Sequence, residues 1–253
     1  MRALLFLCFG LALAPARAEP PPAEVQRHGV DFESWVRATF FNHYQPPAYT
    51  QKWDIPAEAN TRHGGIPANP KTAKFKSPVG LGDALRQFDI DEPFLLIIGY
   101  WEQRGPDKHF VKIAAPTVSP ETWRRLWGPL TRADLEALDA LIRDRSRPPE
   151  EIQQAAQAMK SRPPYSESVI VLNPKIDRKT QRRLQCSLRY EDVFQHLLPG
   201  TDPAAEAAPT LFGQPVPPLL ASGPRQFTEP PQPPKLPPLL HLDLPPRLSS
   251  VGG

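Results

Sequence analysis

Four carboxylates (Glu33, Asp54, Glu58 and Asp83), the lysine Lys71 and the amides Asn69 and Gln87 fall within one stretch near the start of the chain. Acids that gather around a divalent cation, with a lysine close by, are what phosphodiester hydrolysis needs. The metal polarises the phosphate and acidifies a bound water, and the ammonium stabilises the developing negative charge. Other schemes lack their residues. The six histidines, at positions 28, 43, 63, 109, 196 and 241, show no H-E-x-x-H spacing, and Cys186 has no C-x-x-C partner. No G-x-S-x-G elbow, P-loop or G-x-G-x-x-G occurs.

A second feature lies near the end of the same domain. Lys175, Arg178, Lys179, Arg182, Arg183 and Arg189 stand against a single acid, Asp177. If residues 182 to 190 form a strand, Arg183, Gln185, Ser187 and Arg189 share one face and Leu184, Cys186, Leu188 and Tyr190 the other. Arginine, glutamine and serine on one face suit phosphate contacts and base-edge readout. The same residues also suit the solvated face of an edge strand.

The elements that must position these groups follow from periodicity. Phe32, Trp35, Val36, Phe40 and Tyr44 recur at helical spacing over Asp31 to Tyr44, and Pro46-Pro47 stops that helix. Tyr49 to Ile55 and Ile66 to Phe75 read as strands, the second weakened by Pro67 and Pro70. Residues 78 to 82 read as a turn, and Asp83 to Phe88 begins a helix. Phe94 to Trp101 is apolar on both faces, which predicts a central strand covered on both sides. Phe110 to Ala114 is its hairpin partner. Helices are predicted after Ser119-Pro120, from Thr131, and from Glu150 to about Lys160, with an N-cap serine and a first-turn proline at the first of them. Val169 to Leu172 reads as a strand and Glu191 to Leu198 as a helix. Alternating helices and strands imply an α/β fold with a mixed central sheet flanked by helices.

In that order, the stretch from about residue 30 to 115 resembles the PD-(D/E)xK nuclease superfamily, the fold of many restriction endonucleases. The resemblance implies a restriction-endonuclease-like core of helix, three-stranded meander, helix and strand. It places Asp54 as the first metal-binding acid, Lys71 as the triplet lysine, Glu33 as the first-helix acid and Gln87 as the polar residue of the next helix. Asn69 stands where the triplet carries an acid. It can ligate through its carbonyl but brings no charge, so Asp83 or Glu58 would have to supply the second carboxylate. The implied cofactor is Mg²⁺, with Mn²⁺ as a substitute, and the implied partner is DNA.

The ends of the chain read differently. Residues 1–18 carry Arg2, an apolar run from Ala3 to Ala14 and a final A-x-A pattern, which predicts a signal peptide and an exported, periplasmic or secreted protein. That run is shorter than the roughly 20 residues of a spanning helix. Without residues 1–18 the chain keeps 28 basic and 27 acidic side chains, so attraction to a polyanion must come from local patches. Residues 19–29 read as a linker and 30–198 as one globular domain. Residues 199–253 hold 15 of the 35 prolines, which predicts a disordered, extended tail. Two functions are compatible with this layout. One is an exported metal-dependent nuclease-like protein that hydrolyses or binds DNA. The other is a non-catalytic envelope or secreted binding protein whose proline-rich tail engages a protein partner.

Overall fold

The structure is a computed structural model that describes residues 24–47, 52–105, 107–176 and 181–217. The expected signal peptide, Arg178, Lys179 and the tail beyond residue 217 lie outside the described residues. Among the described residues no helix is long and apolar enough to cross a membrane.

The architecture is α/β, with a mixed sheet flanked by helices. Strand β3 (Phe94–Arg104) sits at its centre, parallel to β1 (Ala68–Lys74) and antiparallel to β4 (Asp107–Ala114) and the short β5 (Thr117–Val118). Residues Phe94 to Tyr100 are all buried, as two-sided apolarity predicts. Alternation sends Leu95 and Ile97 to one core and Phe94, Leu96, Ile98 and Tyr100 to the other.

The first core is closed by α1 (Glu24–Phe40), which buries Phe32, Val36 and Phe40 at helical spacing. This helix begins earlier than the sequence pattern predicts, inside the segment expected to be a linker. Its close approach needs Gly99. A Cβ there would lie 2.7 Å from the Phe110 ring and 2.8 Å from the Phe32 ring, which themselves pack at 5.0 Å.

The second core is closed by α3 (Pro120–Leu126), α4 (Arg132–Arg143), α5 (Pro149–Lys160) and a second sheet. Ser119 caps α3 and Thr131 opens α4 with a capping box, so both starts agree with the sequence reading. The second sheet is antiparallel, with order β2 (Val79–Asp83), β7 (Arg182–Leu188) and β6 (Val171–Ile176). The buried Asp139 ties α4 to it by accepting the Leu184 backbone N–H at 3.2 Å.

Three elements differ from expectation. The strand predicted over Tyr49 to Ile55 reduces, in its described part, to a single antiparallel bridge between Ile55 and Ala68. Residues 78 to 82, read as a turn from Pro78, Gly80 and Gly82, instead form β2. Gly80 and Gly82 flank a bulge there, which lets Leu81 reach the core. The strand near residue 170 runs later than predicted, because Pro174 is tolerated on an edge strand.

The domain also continues past residue 198. After α6 (Tyr190–Asp192) and a π-helical turn, residues 199–217 fold back as a strap ending in the pair β8 (Thr210–Leu211) and β9 (Gln214–Pro215). Glu206 pairs with the buried Lys112, and Leu211 and Val216 enter the α1 core. These contacts hold the first part of the proline-rich region on the domain. Phe212 stacks on His63 at 3.9 Å, and the Phe40 and Phe41 rings meet the same imidazole edge-on.

Gly99→Ala is expected to destabilise the domain by about 1–3 kcal/mol, because two rigid rings must give way; unchanged stability in urea would refute the close-approach argument. Burial, helped by the Arg62 charge, lowers the His63 pKa. A base whose folded value lies below its unfolded value of about 6.5 binds its proton more readily when unfolded. Stability from this site is therefore complete above that pH and declines as pH falls toward the folded value. Urea midpoints measured across pH 5 to 8 (roughly the range over which histidine titrates) should fall less toward acid for His63→Gln than for the parent.

Candidate functional site

The Ile55–Ala68 bridge does more for the site than its size suggests. Its two backbone hydrogen bonds, 3.0 and 2.8 Å, lay Asp54 alongside Asn69. The Asn69 side-chain carbonyl then accepts the Asp54 backbone N–H at 3.3 Å. Two residues further along the same face of β1, Lys71 forms an ion pair with the Asp54 carboxylate and donates to the Pro70 carbonyl at 3.0 Å. Both partners are mostly buried, with about a fifth of each side chain exposed (19% and 22%). Pro70 is accommodated because β1 lies at the edge of its sheet.

This ion pair lines a cleft of about 650 Å³ between β1 and the second sheet. Glu33 enters from α1, ion-paired with Arg37 at 3.6 Å. Asp83 ends β2 and caps α2 (Ala84–Phe88), accepting the Arg86 N–H at 3.0 Å. Gln87 is buried in that helix, and its backbone carbonyl accepts the Trp123 indole N–H at 2.7 Å. Lys52 reaches the rim, where Glu92 above all, and Asp91, raise its pKa against the opposing effect of burial. Its charge is therefore compensated locally.

The opposite wall is the polar face of β6 and β7. Arg183, Gln185 and Ser187 alternate toward the cleft while Leu184, Cys186 and Leu188 face the core. Register sets Asn173 against Gln185 and Lys175 against Arg183, and Asn173 donates to the Ser187 hydroxyl at 2.8 Å. Like charges directly opposite on a sheet are unfavourable. Among the described residues neither Lys175 nor Arg183 has a carboxylate partner, so this wall offers positive charge to an anion. The Cys186 thiol is pushed far up, first by burial and then by the Asp83 charge, which removes it as a nucleophile.

Glu33, Asp54, Asn69, Lys71, Asp83, Gln87, Lys175 and Arg183 thus share one cleft. Other expected site residues lie elsewhere. Glu58 is exposed on the 3-10 turn Ala57–Ala59, away from the cleft lining. Arg182 points to the other side of β7 and donates to the Ile142 carbonyl at 3.3 Å, because alternation sends it to α4. Arg189 caps α6 instead of extending β7 and lies 3.9 Å from Asp192. Sequence reasoning missed Arg86, Lys52 and Asn173. Only Asn173 left a signal, through its alternation with Lys175.

Three carboxylates line the cleft, yet among the described residues no three metal-binding side chains converge. Mg²⁺ is commonly held by one or two carboxylates plus substrate phosphate oxygens, not by an all-protein cage. Asp54 and Asp83 line the cleft, whereas Glu58 does not. No family model, curated protein or solved structure matches the chain.

Breaking either half of the half-buried Asp54–Lys71 pair leaves the other charge uncompensated. A double-mutant cycle with Asp54→Asn and Lys71→Met should give a coupling of about 1 kcal/mol or more. Additive effects in urea unfolding would show that the pair is not an energetic unit.

Proposed function

We propose that the cleft binds the phosphodiester backbone of DNA and hydrolyses it with Mg²⁺ or Mn²⁺. The observation that carries this reading is that one cleft receives both the Asp54–Lys71 pair and the Lys175–Arg183 pair, which are about a hundred residues apart in the chain. The basic wall would seat the phosphate, and Asp54 with Asp83 would hold the metal. Bound there, the metal would polarise the phosphate and acidify water. Asn69 fixes the Asp54 backbone, so its side chain acts on the position of the acid instead of replacing an acid. Lys71, which pairs with Asp54 here, would stabilise the negative charge that develops on the phosphate.

The resemblance to PD-(D/E)xK nucleases is supported by an antiparallel bridge leading into β1 and by a parallel β1–β3 pair joined through α2. It is weakened by β2, which joins the second sheet where the superfamily would have a meander. A signal peptide over residues 1–18 would place such a nuclease in the periplasm or outside the cell. A second reading is favoured by the engagement of every cleft carboxylate: Glu33 with Arg37, Asp54 with Lys71, and Asp83 with the α2 N-terminus. On that reading the cleft binds its partner without cleaving it.

Plasmid incubated with the protein in Mg²⁺ or Mn²⁺ should be nicked or linearised. Asp54→Ala and Lys71→Ala should each lower the rate by about a hundredfold or more. Intact plasmid that is nonetheless retained by the protein would replace hydrolysis with binding, and an absence of both would reject the proposal.

A further inference from the structure

The cleft does not end at β6. Asn173 and Lys175 also line a second groove, of about 400 Å³, whose far wall is the α5 face carrying Gln153, Gln157 and Lys160. Asn173 and Lys175 thus form a low ridge shared by both spaces. We infer that the polyanion track runs over this ridge, so that a DNA duplex seated in the cleft extends along the groove and places a flanking phosphate at Lys160. The inference rests on the phosphodiester reading of the cleft.

Charge and chemistry favour this occupant. Lys160, Lys175 and Arg183 follow one another from α5 across β6 to β7, and among the described residues none has a carboxylate partner. Burial alone lowers the Lys160 pKa, and an anion beside it would raise it again. A strand-adding peptide fits less well. Pro174 removes a backbone donor from the β6 edge, and Gln153 already donates to the Ile176 carbonyl at 3.2 Å. Single strands are commonly held by stacking on aromatic rings. Among the described residues no aromatic side chain lines either space. Amides and ammonium groups instead suit the phosphates and sugars of a duplex backbone.

The test is fluorescence anisotropy of the full chain, without divalent metal, on labelled duplexes of about 6 and about 20 base pairs, each step rising about 3.4 Å. Salt would be varied between about 50 and about 200 mM. For the longer duplex, Lys160→Ala should weaken binding several-fold and reduce the salt slope by about one, which is about a fourfold smaller loss of affinity over that range. Lys160→Glu should weaken it further, and both variants should bind the short duplex as the parent does. Lys71→Ala and Arg183→Ala, within the cleft, should alter both lengths. If the parent binds both duplexes and Lys160 variants match it in affinity and slope, the groove is not part of the track, and the cleft reading stands. If the parent binds neither duplex, the inference falls, and the plasmid assay in Mg²⁺ or Mn²⁺ decides separately whether the cleft reading stands.

Discussion

A strand with no polar face must be covered on both sides, and β3 is such a strand. Its seven buried residues from Phe94 to Tyr100 demand two separate cores. At about 25 cal/mol per Å² of apolar surface removed from water, leaving either face open would be costly. One face recruits α1 and the strap of residues 199–217. The other recruits α3, α4, α5 and the second sheet. Gly99 is the point where this demand is tightest, because two aromatic rings occupy the space beside its Cα.

The candidate site is a by-product of that arrangement. β1 pairs with β3 in parallel, so its alternation is set by β3, with Asn69 opposite Leu96 and Lys71 opposite Ile98. Those two polar side chains therefore lie on the face that looks toward the second sheet, at the margin where the core opens. There the polar face of β6 and β7 closes the space. An edge strand can carry such residues because it is covered on one side only by its neighbour. The cleft thus joins two surfaces that belong to different sheets, and its electrostatics reflect both. On the β1 side acids and bases are already matched. On the β6–β7 side Lys175 and Arg183 face each other, and among the described residues neither has an acid as partner.

Asn69 shows how position can change the meaning of a residue type. Read as a member of a metal-binding triplet, it is an acid that lost its charge. In the folded chain its carbonyl is committed to the Asp54 backbone N–H, and the residue is almost fully buried. Cys186 shows the reverse. Its alternation with leucines marks it as a core residue, and burial of its thiol agrees with that reading.

Periodicity, caps and apolar runs in the sequence by themselves determined β3, the α1 core face, α3, α4 and α5, because those signals are local and act over a few residues. Residue type and chain order, through the resemblance to PD-(D/E)xK nucleases, marked Asp54, Lys71 and Asp83 as candidates, and alternation on a predicted strand marked Arg183. Only the tertiary structure decided that a single bridge at Ile55 would replace a strand, that Gly80 and Gly82 would bend β2 into a second sheet, and that residues 199–217 would pack on the domain despite their prolines. It also separated Arg183 from Arg182 and set Glu58 apart from the acids of the cleft. The physical reason is the same in each case. Pairing partners and the burial of individual side chains depend on residues far away in the chain, and no local pattern carries that information.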